Sequence, residues 1–153
     1  MIEQGLQQEI NMVMTEARNR RLEFVTVEHL LLALLNMDEV VAFLRGKRVN
    51  IDELRAELNQ YIDSHTPIIS EDAEIDIVPT VGFQRVLQRS VYQAQSAQKN
   101  SVNAMNVFVS IFSEKESHAV YMLKLNNISR LDVMEGISSH LADNPVEETK
   151  KVE

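Results

Sequence analysis

Cysteine and tryptophan are both absent from this 153-residue chain. Without cysteine, disulfides and thiolate metal sites are excluded. Glycine and proline are scarce, with 4 and 3 residues. Turns and sheet connections consume both types, so their scarcity favours helices joined by short connections. No apolar run approaches the roughly 18 residues that cross a bilayer. The longest, Leu30 to Leu35, has six. The opening MIEQGLQQEI carries neither the basic patch nor the apolar stretch of a signal peptide, and a cytoplasmic protein is expected. Positive charge is also in short supply: 15 Lys and Arg stand against 23 Asp and Glu, a net charge of −8. That field has the wrong sign for a nucleic-acid backbone. The clusters Arg18, Arg20, Arg21 and Arg85, Arg89 read as solvated helix faces.

With 44% hydrophobic and 25% charged residues, the chain has the balance of one globular domain able to bury a core without a staple. Sliding the sequence along itself by 77 residues aligns Leu6 with Phe83, Ile10 with Leu87, Met14 with Val91 and Ala17 with Ala94. The same shift aligns Val25 with Val102, Leu30-Leu31-Leu32 with Val107-Phe108-Val109, and Leu54 with Leu131. No gap is needed from Leu6 to Leu54. The pattern predicts an all-α fold of eight helices, arranged as two pseudo-twofold four-helix repeats. The first repeat covers 1–64 and the second 80–142. Between them, 65–79 holds two prolines and the acids Glu71, Asp72, Glu74 and Asp76, which suggests an exposed linker with Ile75, Ile77 and Pro79 laid along the surface. Residues 143–153 read as the start of a flexible linker.

Within each repeat the apolar residues recur at helical spacing. Leu6, Ile10, Met14 and Ala17 form one stripe. Val27, Leu30, Leu31, Leu34 and Leu35 form a broader one behind a Thr26 cap. Val40, Val41, Phe43 and Leu44 mark a short helix ending near Gly46. Asn50 with Glu53 opens a fourth, bearing Leu54, Leu58 and Ile62. In the second repeat Asn103 caps the helix of Val107, Ile111 and Phe112. Ser129 and Asp132 form a capping box ahead of Leu131, Met134, Ile137 and Leu141.

Sites for chemistry are missing. The glycines Gly5, Gly46, Gly82 and Gly136 never take phosphate-loop spacing, and H-E-x-x-H does not occur. His29, His65, His118 and His140 are scattered. Glu114 and His118, four apart, read as a surface pair on a helix. Glu28 and His29 interrupt an apolar helix at its start, where the macrodipole favours the acid. The expectation is a non-enzymatic domain with no catalytic residue, metal or cofactor. The seven methionines fall mostly on the apolar stripes and read as core filler.

The segment Phe24-Val-Thr-Val-Glu-His-Leu-Leu-Leu-Ala-Leu-Leu35 resembles the signature of Clp/Hsp100 amino-terminal domains. Thr80-Val-Gly-Phe-Gln-Arg-Val-Leu-Gln-Arg89 resembles the start of that family's second repeat. Val107 to Leu123 and Ser129-Arg-Leu-Asp-Val133 are similar to the ClpA branch in particular. Two positions depart from the pattern: Gly82 stands where a capping residue is expected, and Ser90 where alanine is usual.

The resemblance implies an adaptor- and substrate-docking domain above a hexameric AAA+ ring. Such a domain binds the ClpS adaptor, and the ring unfolds the delivered proteins for the ClpP peptidase. The adaptor site it implies comprises Glu23, Phe24, Glu28, Thr80, Val81 and Arg85. The carboxylates Glu23 and Glu28 would face a partner cation, and Arg85 a carboxylate or carbonyl. On this reading Glu28→Ala weakens docking without unfolding the domain, and the isolated domain is a monomer. The alternative is direct, chaperone-like capture of unfolded segments in the groove between repeats, as in another Hsp100 branch.

Overall fold

The computed structural model describes residues 1–74 and 77–143, with side-chain surroundings through Ser138. The expectations for Ile75 and Asp76, for the side chains of His140 and Leu141, and for the tail beyond 143 lie outside the described residues. Eight helices occupy the described residues: α1 (Gln4–Asn19), α2 (Val27–Leu34), α3 (Asp38–Gly46), α4 (Ile51–His65), α5 (Val81–Ser96), α6 (Ala104–Ile111), α7 (His118–Leu125) and α8 (Arg130–Asp143). Two short strands, β1 (Phe24–Val25) and β2 (Val78–Pro79), complete it.

The helix starts follow from local chemistry. Side-chain oxygens of the N-cap residues Thr26, Asn50, Thr80, Asn103 and Ser117 accept from the backbone amide three residues on, satisfying a first-turn donor that has no helical partner. Ser129 and Asp132 form a reciprocal capping box, with the Asp132 amide donating to Ser129 Oγ at 3.1 Å and the Ser129 amide to Asp132 Oδ2 at 2.9 Å. Gly82 is not the cap. Thr80 is, and Gly82 lies inside the first turn of α5.

The two most apolar helices, α2 and α6, lie at the centre and touch each other. Helix α2 also packs on α7 of the other half, and α6 on α3. Leu30, Leu31, Leu34, Phe108 and Ile111 are fully buried there. Burying each such side chain contributes about 1.5–3 kcal/mol.

The spacing of elements repeats. Helices α1 and α5 lie 77 residues apart at both ends (4 to 81, 19 to 96), as do α2 and α6 (27 to 104, 34 to 111). The left-handed residues that end the long helices, Arg21 (φ 58°) and Gln98 (φ 59°), keep the same offset. Beyond α6 the offset becomes 79. The next left-handed pair is Arg48 (φ 63°) and Asn127 (φ 61°), and α4 and α8 start at 51 and 130. The gapless alignment to Leu54 is therefore corrected. The α6–α7 connection, 112–117, is three residues longer than the α2–α3 connection, 35–37, and α7 is one residue shorter than α3, which leaves a net shift of two. Val133, not Leu131, is the buried counterpart of Leu54: Val133 is 0% exposed and Leu131 64%.

Each half also lends a strand to the other. The Thr80 amide donates to the Val25 carbonyl at 3.0 Å, and β1 and β2 pair in parallel. At the same offset, the Glu3 amide donates to the Val102 carbonyl at 3.0 Å, and Ile2 bridges Val102 in parallel. The segment leading into each long helix thus pairs with the loop that follows the other long helix. These bonds satisfy backbone groups that would otherwise be stranded between buried helices.

The acidic inter-repeat segment is held against this strand pair. Its backbone exchanges bonds with the α1–β1 turn: the Glu23 amide donates to the Pro67 carbonyl (2.8 Å) and the Ile69 amide to the Arg21 carbonyl (2.7 Å). The Arg21 guanidinium donates to the carbonyls of Ile69 (3.3 Å), Ser70 and Ala73 (3.0 Å). Ile77 is buried.

Candidate functional site

The strand pair places the sequence-predicted residues at one edge of the molecule. Glu23 leads into β1, which Phe24 opens, and its partner β2 runs directly into Thr80, Val81 and α5. Glu23 and Arg85 are exposed, and Phe24 is half-buried. Val81 stands 64% exposed and Val78 44% exposed. Two apolar side chains therefore face solvent close to an acid just ahead of β1 and a base on α5. Thr80 contributes through its backbone and its cap, with its Oγ1 accepting from the Phe83 amide at 3.2 Å.

Glu28 is placed differently from the expectation. It is 8% exposed, and its Oε2 accepts from the Ala119 amide at 2.9 Å. Ala119 lies in the first turn of α7, where backbone amides lack helical partners and the dipole favours an anion. The carboxylate therefore ties α2 to α7 and is not an open contact. The expected role facing a partner cation thus meets a carboxylate already bonded within the fold, and its removal is expected to act on stability as well.

Beside it, His29 completes a capping box on Thr26. The Thr26 amide donates to His29 Nδ1 at 3.0 Å, and the His29 amide to Thr26 Oγ1 at 3.4 Å. An accepting Nδ1 puts the ring proton on Nε2, which is buried without a partner. Burial, reinforced by the nearby Arg20 cation, lowers the His29 pKa to about 4. The ring is a neutral structural group here.

Glu114 departs from its expected place on a helix. It lies in the turn before α7 and does not pair with His118. Its carboxylate accepts from Arg85 through Nε (3.0 Å) and Nη2 (2.6 Å), and Arg89 Nη1 lies 3.7 Å away. The Arg85 bonds lead the causes that hold the Glu114 pKa below the ordinary carboxylate value. His118 instead packs at a tilt against Tyr61 (3.8 Å between ring centres, planes 41° apart), and Tyr61 stacks with His65 (4.0 Å). Burial, with the nearby Glu28 charge, pushes the Tyr61 hydroxyl pKa up.

Sequence reasoning missed Glu114 as the partner of Arg85. The only signal was its place in the polar break Ser113-Glu-Lys-Glu-Ser117. It lies in the α6–α7 connection, which is longer than the α2–α3 connection, so the other half offered no hint. Among the described residues no cluster of three or more His, Asp or Glu could hold a metal ion, and no helix is long and apolar enough to cross a membrane. A cavity of about 20 Å³ lined by Glu16, Arg20 and His29 has room for about one water. A shallow apolar depression of about 340 Å³ lies on α5 over Leu87, Val91 and Tyr92.

Residues 1–126 match the model of the Clp repeat (R) N-terminal domain. The chain is 35% identical over 141 residues to a ClpA homolog protein of Fuscovulum blasticum, covering 92% of this chain and 18% of that protein. It therefore spans under a fifth of that relative. Its fold is similar to the Hsp104 N-terminal domain of Candida albicans (TM-score 0.74, 12% identity, 88% and 87% of the two chains). It is also similar to the N-domain of ClpV from Vibrio cholerae (0.70, 15%, 93% and 86%) and to the N-terminal domain of ClpD from Arabidopsis thaliana (0.67, 18%, 92% and 96%).

Proposed function

The chain belongs to the Clp repeat N-terminal domain family, and on that premise we propose that it is the docking domain of a ClpA-type unfoldase. It binds a ClpS adaptor through Glu23, Phe24, Thr80, Val81 and Arg85, with Glu28 behind that face. The adaptor delivers proteins for unfolding by an AAA+ ring and degradation by ClpP in the cytoplasm. The domain itself does no chemistry and takes no cofactor.

One observation carries this reading. The β1–β2 pair joins residues 54 apart in sequence (24 to 78) into one edge that exposes Val78 and Val81 beside Glu23 and Arg85. A small apolar centre with charges of both signs at its rim suits a modest protein interface. The 35% identity to a ClpA homolog favours the ClpA branch over the ClpV and Hsp104 branches, where likeness rests on fold alone. Titration of the domain with purified ClpS in a calorimeter is expected to give a one-to-one complex. A helical, cooperatively melting domain that releases no heat with ClpS would remove the ClpA assignment.

A second reading rests on the apolar depression over Leu87, Val91 and Tyr92. It favours weak direct capture of unfolded segments. Binding of a permanently unfolded model protein without adaptor, weakened by Tyr92→Ser, is the expected result. Binding unaffected by that change would end this reading.

A further inference from the structure

Arg85 and Arg89 share one carboxylate, Glu114, so the cluster keeps one positive charge on a chain of net −8. Glu114 is the fixed member: its side chain is 10% exposed, against 53% for Arg85. Its backbone is pinned in the turn, with the Glu114 amide donating to the Ile111 carbonyl (2.9 Å) and the Ser117 amide to the Glu114 carbonyl (3.0 Å). Its carboxylate sits over the first turn of α5, where the helix dipole favours an anion. Gly82 leaves it room, because a Cβ at that position would lie 3.1 Å from Glu114 Oε1 and 3.1 Å from Val27 Cγ2.

The side-on fork commits Arg85 Nε and Nη2. Nη1 has no partner among the described residues, and the guanidinium is rigid and planar. Once two of its nitrogens are fixed, the direction of the third is fixed too. A long exposed arginine held in this way has little rotamer freedom left to lose on binding.

We propose that Glu114 is a positioning residue for docking, locking Arg85 so that its free Nη1 edge meets a carboxylate on the partner. This deepens the adaptor reading and rests on it. The second guanidinium, Arg89, adds to the pull on that carboxylate. Its Nη1 is buried, makes no hydrogen bond and lies against Glu114.

The test is a double-mutant cycle read by calorimetry with ClpS, using the wild-type domain, Arg85→Ala, Glu114→Gln and the double variant. Each single change is expected to weaken binding about tenfold, and the double variant no more than Arg85→Ala alone. The Arg85 Nε–H resonance is expected to move in Glu114→Gln while helicity stays intact. Should that variant unfold, Glu114→Asp, which keeps the charge and shortens the reach, replaces it with the same expectation. Full-strength binding by Glu114→Gln, or losses that simply add in the double variant, would overturn the proposal while leaving docking in place. A wild-type domain that does not bind ClpS defeats the docking reading, and this inference falls with it.

Discussion

The Glu28 carboxylate of α2 accepts from the Ala119 amide of α7 at 2.9 Å, joining residues 91 apart in sequence. Both are buried, at 8% and 0% exposure. Glu28→Ala leaves the Ala119 N–H without a partner away from water, which costs about 1–3 kcal/mol. Glu28→Gln keeps an acceptor oxygen and is expected to cost less. Urea unfolding checks this through a lower midpoint at unchanged slope. Equal midpoints for wild type and Glu28→Ala would show that the bond contributes nothing.

His29 makes a second prediction, this time about pH. Its folded pKa is lowered to about 4 from 6.5. Above pH 6.5 the ring is neutral in both states and stability is unaffected. As pH falls from 6.5 toward 4, the unfolded chain takes up a proton that the fold resists, and stability is lost. The loss levels off below about pH 4, at roughly 3 kcal/mol. Asn106, 77 residues on, performs the same capping without titrating: the Asn103 amide donates to its Oδ1 at 3.0 Å. His29→Asn is therefore expected to keep the helix start and remove this part of the acid sensitivity. Carboxylates with lowered pKa values, such as Glu114, contribute equally to both proteins. Parallel stability curves for wild type and His29→Asn between pH 6.5 and 4 would count against the idea.

The residues that were legible in sequence are those whose role is local. Thr26, Asn50, Asn103 and Ser129 announce their helices because a cap and its amide lie three residues apart. The stripes of α1 and α5 show at a 3.6-residue period. The edge formed by Phe24 and Thr80 was reached only through resemblance, since two-residue strands joined across 54 positions have no periodicity to read. The partners of Glu28 and Glu114 could not be read for the same reason: Ala119 and Arg85 are distant in sequence. An acid at a helix start looks the same whether it faces water or a second helix.

The register of α8 gives the sharpest test of how the halves correspond. Aligned at 77, Leu54 faces Leu131; aligned at 79, it faces Val133. Both are apolar, so sequence alone could not choose, and the longer sequence match favoured Leu131. The left-handed residues Arg48 and Asn127 decide for 79, because each ends a helix just before a buried residue, Val49 or Ile128. Val133 then points into the core at 0% exposure, while Leu131 is 64% exposed. Val133→Ala is expected to cost about 2 kcal/mol through lost burial and the space left behind. Leu131→Ala, although it deletes more carbon, is expected to stay within about 0.5 kcal/mol of wild type. Denaturant unfolding of the two variants measures both. The reverse order of cost would return α8 to the 77-residue register and turn Leu131 inward.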